Sequence, residues 1–302
     1  MTGRQRVGEG FAMPNVRANG IDLEYDEHGS PDDPGFLLVM GLTAQLTAWD
    51  ERFCAQLAGH GFRVVRYDNR DVGLSSRITG GPTPDVMKAI SGDHSSASYT
   101  IADMADDAAG LLDALGMSPA HVMGVSMGGM IVQSLVVRHP DKVRSLCSIM
   151  STTGDPSVGQ PSAEAIGALL APPPANREEA GDRGLAATKV IGSPAYAQDD
   201  AAVRERSMAA YERAHDPAGF ARQMVGIVAS PDRTADLGSV AVPTLVIHGE
   251  VDPLVDVSGG KATAAAIPGA ELLVLPGMGH DLPPQLWTQI IDAAVANASK
   301  AS

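Results

Sequence analysis

A serine set between two glycines is the residue in this chain best placed to do chemistry. The string His121-Val122-Met123-Gly124-Val125-Ser126-Met127-Gly128-Gly129-Met130-Ile131 carries the pattern Gly-x-Ser-x-Gly. A chain with 33 glycines produces so short a pattern easily by chance, and its setting must decide. Here the serine ends an apolar run and opens a stretch with Met127, Met130, Ile131, Leu135 and Val136 on one helical face, stopped near His139-Pro140. Strand, sharp turn and helix is the arrangement that presents a serine hydroxyl at the end of a sheet, and glycines clear the space that flanking side chains would fill. The backbone N–H of Met127 begins the helix without an intrahelical partner, at the positive end of the dipole. It can therefore receive negative charge developing beside Ser126.

A serine hydroxyl is a weak nucleophile near neutral pH and needs a base within hydrogen-bond reach. Eight histidines are present. His28, His60, His121, His139 and His215 read as surface or capping residues from their places beside turns, helix ends and charged stretches. His248, in Leu245-Val246-Ile247-His248-Gly249, reads as a satisfied core histidine. His94 lies in a long loop that could visit a site. His280 differs, because Leu275-Pro276-Gly277-Met278-Gly279-His280 puts it on a glycine-rich loop at the carboxyl end of the last apolar strand. Catalytic groups of open α/β sheets gather at that edge, where Ser126 also emerges.

Such a base is usually held in one tautomer by a carboxylate. Asp252, in Gly249-Glu250-Val251-Asp252-Pro253, leaves the preceding strand on the same side. Glu250 is the rival, and Asp252 is favoured because it lies deeper in the turn. A second donor for an oxyanion is expected from Val39-Met40-Gly41-Leu42-Thr43, where Gly41 lets the chain bend inward and leaves the N–H of Leu42 free. The expected set is Ser126, Asp252 and His280 for catalysis, with Leu42 and Met127 for the oxyanion hole. No cofactor or metal is expected, since His and carboxylate ligands show no suitable spacing.

These residues need a scaffold. Val16-Arg17-Ala18 and Ile21 to Glu27 flank Asn19-Gly20, a strong hairpin signal. Apolar runs follow at Phe36 to Met40, Arg63 to Tyr67, His121 to Val125, Ser145 to Met150, Pro243 to His248 and Glu271 to Leu275, without polar alternation, as suits strands covered on both faces. Ile101, Met104, Ala108, Leu111, Leu112 and Leu115 space a helix closed by Gly116. Strand and helix in alternation predict a layered α/β domain. From about Thr153 to Ala235 the chain is rich in Ala, Pro and charge, with helical stretches such as Asp199 to His215 and no strand. It reads as a helical cap, 153–235, inserted into a core made of 1–152 and 236–302. Ile78 to Ser98 reads as a long loop near that cap.

Composition narrows the partners. The chain has 302 residues, 44% hydrophobic and 19% charged, ordinary for a folded protein. Its net charge of −14 is the wrong sign for gripping nucleic acid or an anionic membrane. No apolar run approaches the ~20 residues of a membrane helix. The start, with Arg4 and Arg6, carries no signal-like apolar stretch and is expected to be frayed, so a cytoplasmic location is expected. Cys54 and Cys147 form no CxxC pair and read as small buried hydrophobes.

The motifs together resemble the α/β-hydrolase family, nearly end to end. The resemblance runs from Phe36-Leu37-Leu38-Val39-Met40-Gly41-Leu42 through Val65-Arg66-Tyr67-Asp68-Asn69-Arg70-Asp71-Val72-Gly73-Leu74-Ser75 and the Ser126 turn to Gly277-Met278-Gly279-His280. Within it, the Met-Gly start of the oxyanion loop and the Arg-Tyr-Asp-x-Arg-Asp string are most similar to the aclacinomycin methylesterases and related actinobacterial carboxylesterases. Leu42 stands where those methylesterases have a second glycine, which narrows the space over a scissile carbonyl. The resemblance implies a mostly parallel eight-stranded sheet flanked by helices, with an inserted helical cap. It also implies that Ser126 is the nucleophile, Asp252 the orienting acid and His280 the base. The implied reaction is hydrolysis of a small or methyl carboxylic ester held in an apolar pocket, through an acyl-serine. The same trio could run cofactor-free perhydrolysis, or the fold could bind a small molecule without turnover. Asp68-Asn69-Arg70-Asp71 reads as a buried ion pair and turn bracing the site loops, in preference to a substrate anchor.

Overall fold

The computed structural model describes residues 14–301. The segment with Arg4 and Arg6, expected to be frayed, lies outside them. Eight strands form one sheet: β1 (Asn15–Ala18), β2 (Ile21–His28), β3 (Gly35–Val39), β4 (Arg63–Tyr67), β5 (Ala120–Val125), β6 (Val143–Ile149), β7 (Thr244–Gly249) and β8 (Glu271–Leu275), in the order β1-β2-β4-β3-β5-β6-β7-β8. β1 and β2 form the antiparallel hairpin, turning on Asn19 and Gly20 with φ of 45° and 79°. β2 joins β4 antiparallel, and every later pairing is parallel. The mostly parallel eight-stranded sheet implied by the family resemblance is therefore what forms.

Helices α1 (Glu51–Ala58), α2 (Val86–Ile90), α3 (Ile101–Ala114) and α4 (Met127–Arg138) precede β6; α5 (Ala163–Leu169), α6 (Arg177–Ile191), α7 (Asp200–Arg213), α8 (Pro217–Val228) and α9 (Thr234–Leu237) follow it without an intervening strand; α10 (Val257–Ala266) and α11 (Trp287–Ala298) flank β8. Strand residues alternate between two cores. Leu37, Val39, Val65 and Val122 pack beneath α3 and α4 with Ile101, Leu111 and Ile131. Phe36, Leu38, Val64 and Met123 pack against Trp49, Phe53, Trp287 and Ile290 on the other face, with α1 and α11. Trp49 is a core residue, and Cys54 and Cys147 are free and buried, with burial pushing both thiols up, Cys54 to about 12.

Two features differ from expectation. The Ile78 to Ser98 loop contains α2, opened by the Asp85 side chain accepting from the N–H of Lys88 and packed against α8. Only Ala89 of that helix is buried, so no apolar period marks it in the sequence. His121, expected at the surface, is buried within β5, with Nδ1 2.8 Å from Ser145 Oγ and its ring near Phe36 and Phe62. One histidine at the start of an apolar run carries no signal of depth.

Burial, assisted by Arg144, lowers the pKa of His121 from 6.5 to about 4. Above pH 6.5 the ring is neutral folded and unfolded. Below it the unfolded chain takes up a proton that the folded chain refuses, so stability falls between 6.5 and about 4. Allowing for water at the ring edge, the loss is on the order of 2 kcal/mol. Urea unfolding at pH 7 and pH 5 should show this loss shrinking in His121→Gln; an unchanged pH dependence in that variant would exclude His121 as its source.

Candidate active site

The carboxyl ends of β3, β5, β7 and β8 bring the candidate residues together. Ser126 sits at the β5–α4 junction with φ 57° and ψ −121°, outside the comfortable regions for a side-chain-bearing residue. Its neighbours hold it there: its N–H donates to Ile149 O at 2.9 Å, and Ser151 Oγ donates to Ser126 O at 2.8 Å. The flanking glycines are obligatory. A Cβ at Gly124 would fall 2.1 Å from Gly128 O, and one at Gly128 would fall 2.1 Å from Val39 O.

His280 Nε2 lies 3.0 Å from Ser126 Oγ, and its Nδ1 lies 2.7 Å from Asp252 Oδ2. Asp252 can only accept when ionised, so Nδ1 carries the hydrogen and Nε2 presents its lone pair to the serine hydroxyl. The other oxygen of Asp252 accepts from the N–H groups of Leu254 and Val255, both at 2.9 Å, and the carboxylate is fully buried. The rival Glu250 is exposed and accepts instead from Gly277 N at 3.3 Å, on the histidine loop but outside this relay. His94 is exposed in its loop.

Gly41 brings the loop after β3 over the serine: a Cβ there would stand 3.0 Å from Ser126 Cβ and 3.5 Å from Oγ. The N–H groups of Leu42 and Met127 find no acceptor among the described residues, while the next N–H, of Thr43, donates to Gln223 Oε1 at 2.8 Å. Two unspent donors thus flank the hydroxyl.

The relay opens into a cavity of about 780 Å³. Met40, Met127, Met130, Met150, Met224 and Ile227 contribute to its wall, and Asp50, Arg52 and Arg206 also line it. Met123 and Met278, by contrast, are core residues, fully buried. Met150, just after β6, and Met224, within α8, reach the cavity only through the fold, since both are distant from Ser126 in sequence. Among the described residues no group of three His, Cys, Asp or Glu could hold a metal ion, and no helix is long and apolar enough to cross a membrane.

The helical stretch after β6 is tied to the site on two sides. The Asp68-Asn69-Arg70-Asp71 turn holds one side. Arg213 Nη1 donates to Asp68 Oδ2 at 2.7 Å, Arg222 makes a bidentate pair with Asp71 at 2.9 and 2.8 Å, and Gln223 donates to Arg70 O at 2.8 Å. From the same turn, Arg70 pairs with Asp107 on α3, and Asn69 donates to Met40 O, just after β3, at 2.9 Å. The bracing role expected of this string therefore extends to residues far along the chain. On the other side the turn after α6 grips the histidine loop. His280 N–H donates to Ile191 O at 2.7 Å, Gly279 N–H to Ser193 Oγ at 2.9 Å, and Ser193 and Gln198 both donate to Asp281. Burial raises the Asp281 carboxyl above its usual range, the two hydrogen bonds opposing. Gln223, Ser193 and Asp281 had no signal in the sequence, since each acts only across the fold.

Comparison with known proteins agrees with this architecture. The chain is 27% identical to rhodomycin D methylesterase DauP of Streptomyces sp. (strain C5), covering 95% of this chain and 98% of that one. It is 30% identical to the putative carbamate hydrolase RutD of Variovorax paradoxus (strain S110), covering 92% and 94%. The crystal structure of the enol-lactonase from Burkholderia xenovorans LB400 superposes with a TM-score of 0.74 at 24% identity, covering 95% of this chain and all of that chain, a likeness of fold. The family model described as alpha/beta hydrolase fold matches residues 34–284. With most of its length matched in this way, and with its sheet ordered as found here, the chain belongs to the α/β hydrolase fold family.

Proposed function

We propose that this protein is a serine hydrolase of uncharged carboxylic esters, small or methyl esters with an apolar acyl part. The observation that carries the reading is the unbroken relay from Ser126 Oγ through His280 to Asp252, opening on a methionine-lined cavity. In it His280 Nε2 takes the hydroxyl proton as Ser126 attacks the carbonyl, and the N–H groups of Leu42 and Met127 stabilise the oxyanion. The alcohol leaves with the proton from His280, giving an acyl-serine. Water, deprotonated by the same imidazole, then releases the acid. Asp252 holds the imidazole in the Nδ1–H tautomer and stabilises the imidazolium. Residues 153–235 act as a cap over the cavity, with 1–152 and 236–302 as the core. The flexible thioethers suit varied acyl groups. The name of the similar rhodomycin D methylesterase supports the ester as substrate class and a small alcohol as leaving group.

A fluorophosphonate should label the protein once, at Ser126, as read by intact mass and peptide mapping, and labelling should abolish hydrolysis of p-nitrophenyl acetate and of a panel of methyl esters in step. Protein that hydrolyses esters yet resists labelling, or is labelled elsewhere, overturns the proposal. Peroxide-dependent halide oxidation in acetate, without ester hydrolysis, would move the same residues to perhydrolysis.

A further inference from the structure

His248 is a buried imidazole that the reaction above does not use. It lies on β7, four residues before Asp252, and is fully buried, as its place in an apolar run suggested. Its Nε2 is 2.7 Å from Val255 O. A carbonyl can only accept, so Nε2 carries the hydrogen and the neutral ring is the Nε2–H tautomer. Its Nδ1 has no hydrogen-bond partner and faces α10, where a Cβ at Gly260 would fall 2.4 Å from it. A second proton would place a buried N–H against backbone that offers no acceptor, so packing keeps the ring neutral. Burial lowers its pKa in the same sense, joined by His280 and opposed by Asp252, Asp256 and the Val255 hydrogen bond.

The Val255 peptide links this ring to the relay. Its carbonyl is held by His248, and its N–H is one of the two that hold Asp252 Oδ1. The turn carrying Asp252 is therefore anchored at its far end to the strand it leaves. The same His248 Nε2 lies 3.7 Å from Asp252 Oδ2, the oxygen bonded to His280. That is too long for a hydrogen bond, and the one hydrogen on Nε2 is already given to Val255 O, so the ring acts on Asp252 through the Val255 peptide.

We propose that His248 is a positioning residue: by tying Val255 O to β7 it fixes the Asp252 turn so that Oδ2 meets His280 Nδ1 at bonding distance. The inference rests on the Ser126–His280–Asp252 reading. It adds a second imidazole that never exchanges a proton with substrate and acts only through Asp252.

The test compares His248→Gln, His248→Asn and His248→Leu in the full chain. The glutamine amide can reach Val255 O in place of Nε2, the asparagine is a methylene too short, and leucine offers no donor. A misplacement of about 1 Å in a catalytic group costs on the order of 100-fold. We expect kcat for p-nitrophenyl acetate to fall about 10- to 100-fold in the Leu and Asn variants with KM within about twofold, and to return within about threefold of wild type in the Gln variant. The far-downfield proton resonance of the His280 Nδ1–H bonded to Asp252 should be kept in wild type and His248→Gln and be shifted or broadened away in His248→Asn. Folded Leu or Asn variants with wild-type kcat and an unchanged resonance overturn the proposal. If the Leu variant does not fold, equal kcat in the Asn and Gln variants overturns it just as well. The resonance reports the His280–Asp252 contact without turnover. A wild type that shows the resonance but hydrolyses no ester would therefore refute the esterase reading while leaving the positioning role standing.

Discussion

Ser126→Ala should lower ester hydrolysis by about 10⁴- to 10⁶-fold and leave the melting temperature within a few degrees of wild type. The fold tolerates the change because the backbone at 126 is held by bonds from its own N–H and to its own carbonyl, to Ile149 and from Ser151, and none of these uses the hydroxyl. Removing Oγ leaves His280 Nε2, a neutral acceptor beside the open cavity, free to bind water. Asp252→Asn tests the other end of the relay and should cost about 10⁴-fold. The amide oxygen would keep the N–H groups of Leu254 and Val255, which leaves the NH₂ facing His280 Nδ1. Nδ1 must then accept, the hydrogen moves to Nε2, and the imidazole can no longer take the serine proton. The double variant should be no slower than Ser126→Ala alone, because the three groups act as one. Glu250→Gln should stay within about twofold of wild type, since its carboxylate meets only Gly277 N–H and can be replaced there by an amide oxygen. Initial rates on p-nitrophenyl acetate measure all of these. More than about 1% of activity left in Ser126→Ala, or a double variant slower by the product of the two single losses, would rule out a single nucleophilic relay.

What could be read from the sequence was whatever local stereochemistry imposes. Asn19-Gly20 specifies its turn because both residues accept positive φ, and the Gly124 and Gly128 positions follow from contacts within a few residues of Ser126 or with the adjoining strand. The apolar runs show six strands because parallel strands are buried on both faces, although the edge strand β8 is exposed at Glu271 and Leu272. His280 and Asp252 could be singled out by their place after β8 and β7. Distances could not, since they depend on strand order, and that order is what brings β5, β7 and β8 into one edge. His121 was misplaced because its depth comes from Phe36 and Phe62, 85 and 59 residues earlier in the chain. The hold of Arg213 and Arg222 on Asp68 and Asp71 was invisible for the same reason: among many Ala and charged residues, nothing local marks which arginine turns inward. The boundary at 235/236 shows a smaller limit, for α9 runs across it.

Asp68→Asn should destabilise the protein by about 3–5 kcal/mol, the range for breaking a buried ion pair by removing one partner. Asp68 is fully buried and its carboxylate serves three donors: Oδ1 accepts from Leu46 N at 2.7 Å, and Oδ2 accepts from Leu74 N at 2.8 Å and from Arg213 at 2.7 Å. An asparagine of the same shape keeps one acceptor oxygen. Whichever way the amide is turned, its NH₂ faces a backbone N–H, and in the orientation that spares Leu46 it also faces a guanidinium. Nor can the side chain swing away, because the turn at Gly73 is packed on it so closely that a Cβ there would fall 1.9 Å from Oδ2. Arg213 would keep only Gln45 Oε1, at 2.7 Å. Arg213→Met should cost less, because Asp68 then keeps both backbone donors and the unbranched methionine still fills the space of the arginine stem. The double variant should be more stable than the two single losses predict by about 1–3 kcal/mol, the coupling of a shared network. Urea unfolding at pH 7 measures these values. A loss below about 1 kcal/mol in Asp68→Asn would mean that water reaches the pair, and the anchor would then be a surface contact. The kinetic consequence separates the anchor from the relay. Leu46 follows the Leu42 loop and Arg213 ends α7, so loosening them should raise KM for bulky esters several-fold while p-nitrophenyl acetate, which needs little of the cavity, keeps its kcat. A variant that lost kcat on the small ester alone would instead place Asp68 in the support of the oxyanion loop.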